Sequence, residues 1–85
     1  MYWAFAIRVA EALRRGESFH SPLIGDVGPG RRDGKPGYLV ISVDGGSRWY
    51  QNHMRAAANW SERLNCAVNA MNSAARMGRL VNKIS

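Results

Sequence analysis

Three cations, Arg31, Arg32 and Lys35, fall inside the stretch GPGRRDGKPG, which runs from Gly28 to Gly37 with no apolar side chain beyond its two prolines. Two chemistries suit such a segment. Backbone N–H groups of a glycine-rich turn can cradle a phosphate, and a mobile cationic finger can settle on a nucleic-acid backbone or an acidic protein face. The spacing is not that of a nucleotide loop, because Lys35 is followed by Pro36 and no helix opens there. The stretch is therefore expected to be a long basic loop, either a finger that docks or a plain hairpin tip.

The rest of the chain carries the same charge. Twelve cations stand against six carboxylates, a formal net charge of +6, and ten of the twelve are arginine. A guanidinium stays charged and grips phosphate or carboxylate with two parallel N–H groups, so an arginine-rich surface suits nucleic acid or an acidic partner. Along the C-terminal half, Arg48, Arg55, Glu62, Asn69, Arg76 and Lys83 recur every seven residues, with Arg63 and Arg79 beside them. Six asparagines between Asn52 and Asn82 add to this face, although asparagine is a poor helix former. The plainer reading is the solvated side that every amphipathic helix must have. The binding surface expected from sequence is Arg31, Arg32, Lys35, Arg48, Arg55, Arg63, Arg76 and Arg79, with Trp49 and Tyr50 beside Arg48 as the best stacking platform.

Catalytic signals are sparse, and the protein is not expected to be an enzyme. His20 and His53 could serve as an acid–base pair for RNA cleavage if the fold joined them. The single cysteine, Cys66, lies in an apolar helical run and is expected to be a small core residue. It can form neither an internal disulfide nor a thiolate metal site, which fits a reducing compartment. No metal or cofactor is expected. The apolar start, MYWAFAI, is broken by Arg8 and is too short for a membrane span. A soluble cytoplasmic protein is expected, in the host cytoplasm if phage-encoded.

These residues must be positioned by a single small domain of 85 residues. From Tyr2 to Arg15 apolar residues return at helical spacing, and Gly16 is a natural stop. FHSPLIGDV, from Phe19, reads as a weak strand, and YLVISVD, Tyr38 to Asp44, as a strong one between glycines. Joined through the loop at 28–37, they make a hairpin over 17–46, with a short third strand competing for residues 48–51. From Ser47, a plausible N-cap, helical periodicity runs to Ile84, with a bend expected near Asn59 to Ser61. The expected fold is α+β: an N-terminal helix, a small antiparallel sheet and a long C-terminal helix.

Double-stranded-RNA-binding domains and some small RNase toxins are similar in this order of elements alone; no motif of theirs is present. The expected function is a small non-enzymatic protein that docks on a larger protein or nucleoprotein and modulates or inhibits it. Phage inhibitors of host defence, anti-CRISPR proteins among them, are proteins of this size and kind. The alternative is direct nucleic-acid binding by the same arginines. No membrane partner is expected, and the chain is expected to be a monomer or a homodimer.

Overall fold

The computed structural model describes the backbone of residues 2–84 and the side chains of residues 3–76. The chain forms α1 (Tyr2–Arg14), β1 (Phe19–Ser21), β2 (Gly25–Arg32), β3 (Lys35–Ser42), β4 (Ser47–Tyr50) and α2 (His53–Ile84). The strands make one antiparallel sheet in the order β1-β2-β3-β4, so the fold is α+β, as the sequence implies. No helix among the described residues is long and apolar enough to cross a membrane.

Both helices pack on one face of the sheet. The core joins Val9, Ala10 and Leu13 of α1 to Val27, Val40, Ala56, Ala57 and Trp60. The alanines let the backbones approach closely, and Trp60 fills the remaining space. Its indole N–H donates to the Gly25 carbonyl at 3.1 Å, and the rings of Phe5 and Phe19 lie 6.0 and 5.9 Å from it. Gly16, at φ 87°, ends α1 as expected, and the Glu17 N–H closes on the Ala12 carbonyl. Among the apolar residues of α1, Ala10 is buried, whereas Trp3 and Ile7 are exposed.

The largest departure from expectation is the basic loop. Residues 28–32 and 35–37 are strand, and the connection shrinks to Asp33-Gly34. Both turn residues have positive φ, 52° and 81°, the two-residue hairpin geometry whose twist matches that of the flanking strands. Pro29 and Pro36 do not prevent pairing. β1 pairs with β2 only as far as Val27, and β4 with β3 only as far as Tyr38. Each proline therefore lies on an outer edge, where a missing N–H breaks no ladder.

FHSPLIGDV likewise divides into β1, a turn and the start of β2. Pro22 cannot continue the ladder, and Gly25 takes φ 118° to reverse the chain. Residues 47–50 choose the strand, so Ser47 is not a cap and α2 starts later. Asn52 caps it instead: its Oδ1 accepts the N–H groups of Met54 and Arg55 at 2.8 and 3.3 Å. Asn52→Ala is expected to lower stability by about 1 kcal/mol, measured by urea unfolding.

α2 runs as helix without a break through Asn59 to Ser61. Trp60 and Ser61 are both buried there, so side-chain packing holds the segment in helix. The Ser61 hydroxyl has no hydrogen-bond partner. Removing an unsatisfied buried hydroxyl relieves its desolvation cost, so Ser61→Ala should stabilise the chain by about 1 kcal/mol. An unchanged or lower melting temperature would contradict this. Beyond Leu64 the helix leaves the domain: from Asn65 to Arg76 every residue except Ala67 is exposed. Cys66 is therefore exposed rather than part of the core. The radius of gyration, 15.8 Å, exceeds the ~12 Å of a compact chain of this length.

Candidate nucleic-acid interface

Strand alternation assigns every residue of the sheet to a face. Val27 and Val40 are paired and buried under the helices, so Asp26, Gly28, Gly30, Arg32, Lys35, Gly37, Leu39 and Ile41 look the other way. The pairs Leu39↔Trp49 and Ile41↔Ser47 extend that open face across β4. No element covers it among the described residues.

Glycines give the open face its shape. Gly30 and Gly37 are paired, and the Trp49 indole lies over them. A Cβ on Gly37 would come within 2.4 Å of the indole carbons, and the indole N–H donates to the Gly30 carbonyl at 3.0 Å. Gly37 therefore needs glycine to seat the ring, whereas a Cβ on Gly30 would meet the Leu39 side chain at 3.1 Å; the ring shields backbone that glycine leaves bare. Trp49 is half-buried and held in orientation by its own hydrogen bond.

Around the ring lies a groove of about 620 Å³, lined by Arg31, Arg32 and Arg48 together with Leu39, Ser47 and Trp49. The three arginines are exposed. By the same alternation Arg32 shares the open face with Trp49, whereas Arg31 and Arg48 start from the helix side, Arg48 opposite the buried Val40, so the groove spans the edge of the sheet. The ion pairs among the described residues are Arg15–Glu17 and His20–Asp26, and neither involves these three. Their charges are therefore not neutralised among the described residues, and together they raise the local positive potential. Lys35 sits opposite Arg32 beside the turn and adds a fourth cation at the hairpin tip.

The other expected residues are dispersed. Arg48 lies on β4, not at the head of the helical stripe. Arg55 is exposed on the first turn of α2, and Arg76 on its overhang. Arg63 is half-buried and donates to the Ser42 hydroxyl at 2.7 Å, tying α2 to β3. It shares a second groove with Arg48 at the β4 edge. The side chain of Arg79 lies outside the described residues. The fold thus brings together Arg31, Arg32, Lys35 and Arg48, and separates them from Arg55 and Arg76.

The two histidines do not form a pair. His20 is on the open face, hydrogen-bonded through Nδ1 to Asp26. His53 is on the helix side, edge-on to Tyr38 with ring centres 6.2 Å apart. Between β3 and β4, Asp44 to Gly46 make a tight turn in which the Gly46 N–H donates to Asp44 Oδ1. Leu39 and Asp26 were not singled out from sequence, and Ser47 and His20 were read there in other roles. Register would have found them: counting outward from Asp33-Gly34 pairs Arg32 with Lys35, Gly30 with Gly37 and Asp26 with Ile41.

No protein-family model matches the sequence, and no curated protein or solved structure is significantly similar to the chain.

Proposed function

We propose that this protein binds nucleic acid directly, through the groove around Trp49 at the edge of its sheet. One observation carries the reading: Arg31 and Arg32 of β2 and the distant Arg48 of β4 line one exposed groove, with no carboxylate partner among the described residues. Guanidinium groups so placed suit phosphate oxygens, and phosphate contacts supply most of the affinity of non-specific binding. Fluorescence anisotropy with labelled RNA and DNA oligonucleotides at low salt tests it. Saturable binding that weakens as salt rises is expected; no binding to either would refute it.

A second reading rests on a different part of the molecule. The overhang of α2 exposes Val68 and Met71 and carries Arg76, so it could dock on a larger protein or nucleoprotein and block it. On this reading, a discrete protein partner captured from lysate survives nuclease treatment. Arg55→Glu with Arg76→Glu then abolishes capture while the fold persists. Capture unaffected by both changes would remove the helix as the interface.

A further inference from the structure

The same groove points to the form of nucleic acid it takes. We infer that it binds a single strand, with one unstacked base lying on the Trp49 indole; this deepens the nucleic-acid reading and rests on it. The indole covers Gly37 and is pinned through its N–H to the Gly30 carbonyl at 3.0 Å. Trp49 also lines the groove beside Arg31, Arg32 and Arg48. A ring already fixed in place loses little freedom when a base stacks on it, which favours binding. Flanking guanidiniums then meet the phosphates on either side of that base. Leu39 lines this groove and also a neighbouring one with His20 and Asp26, so the surface continues along the sheet beyond a single nucleotide.

A duplex does not use this arrangement. Its bases are stacked on one another and offer no free face to Trp49, so an open sheet would meet phosphates alone. The competing geometry is insertion of the two-stranded tip of β2 and β3 into a major groove, which is wide enough for a β-ribbon. That mode would use Arg31, Arg32 and Lys35 and leave Trp49 idle.

The test compares a short oligouridylate with a blunt mixed-sequence duplex of equal charge, read by tryptophan emission and by anisotropy. Trp60 is 3% exposed and cannot be stacked by a ligand, whereas Trp3 is 54% exposed, so the signal is assigned to Trp49 by its loss in Trp49→Phe. The oligouridylate is expected to quench emission saturably in the wild type, and the quench should be lost in Trp49→Phe. Binding should hold within about fivefold in Trp49→Phe, which keeps a ring, and fall roughly 5- to 150-fold in Trp49→Ala. Equal or tighter duplex binding, no quenching by the oligouridylate, or full affinity in Trp49→Ala would each overturn the inference. If both nucleic acids bind but neither quenches, only the single-strand inference falls. If neither binds, the proposed function falls with it. Trp49→Phe keeps a ring over Gly37 and assigns the quench, so a poorly folded Trp49→Ala does not blunt the test.

Discussion

Gly25→Ala should destabilise the chain by more than about 3 kcal/mol, combining a left-handed backbone cost of ~1–3 kcal/mol with overpacking against main chain. Gly25 has φ 118°, where a Cβ is strained, and that Cβ would stand 1.9 Å from the Ile41 carbonyl oxygen. Nothing nearby is a flexible side chain that could swing aside; the obstacles are the backbone of Ile41 and Ser42. Relief would require β2 and β3 to separate at the pair Gly25↔Ser42. The Gly25 carbonyl also receives the Trp60 indole N–H, so the shift would reach the core. Small domains carry only about 5–15 kcal/mol in all, and one of this size sits towards the lower end. Loss of the cooperative unfolding transition, or a large drop in urea midpoint, is expected. A wild-type melting curve for Gly25→Ala would mean that the β1–β2 turn is built differently.

Reversing the groove's charge should abolish binding without affecting the fold. Arg31→Glu, Arg32→Glu and Arg48→Glu alter exposed side chains outside every ion pair of the described residues, so stability should move by less than about 0.5 kcal/mol per site. Three charge-assisted phosphate contacts, at about 1.5 kcal/mol each, amount to roughly a thousandfold in affinity. The carboxylates add repulsion to that loss. Reversal at Arg55, Arg76 and Arg8, which lie on the helices outside the residues lining the groove, serves as the control: it makes the same number of charge reversals but should weaken oligonucleotide binding far less. Equal losses from both sets would mean that net charge, not the groove, drives association.

The helices were legible because one-sided apolar spacing survives burial and exposure alike. Val9, Leu13 and Trp60 lie on the stripes that the sequence traces, and Gly16 stops α1 where expected. β3 was legible from its β-branched run. The basic hairpin was not, because glycine, proline and charge all argue against strand when taken one residue at a time. What overrode them is tertiary. Trp49 occupies the space over Gly37, and Ser18 would meet a Cβ on Gly28 at 2.7 Å. The glycines thus mark close approach rather than mobility. Asp33-Gly34 carried the decisive local signal.

The candidate site was legible in membership but not in arrangement. Arg31, Arg32, Lys35, Arg48 and Trp49 were all visible as residue types. Their convergence depends on a register that only the turn fixes. The helical stripe misled for the opposite reason: a seven-residue period continues arithmetically into Arg48, although the helix begins at His53.

The most direct test of the central claim is the salt dependence of oligonucleotide binding, measured for the wild type and for Arg31→Gln/Arg32→Gln/Arg48→Gln. For a single strand each phosphate contact contributes about 0.7 to the slope of log affinity against log salt, so losing three should flatten it by roughly 2. That flattening, with weaker binding at low salt, is the predicted result. A slope unchanged by the three substitutions would show that phosphates are gripped elsewhere, and the groove around Trp49 would not be the nucleic-acid interface.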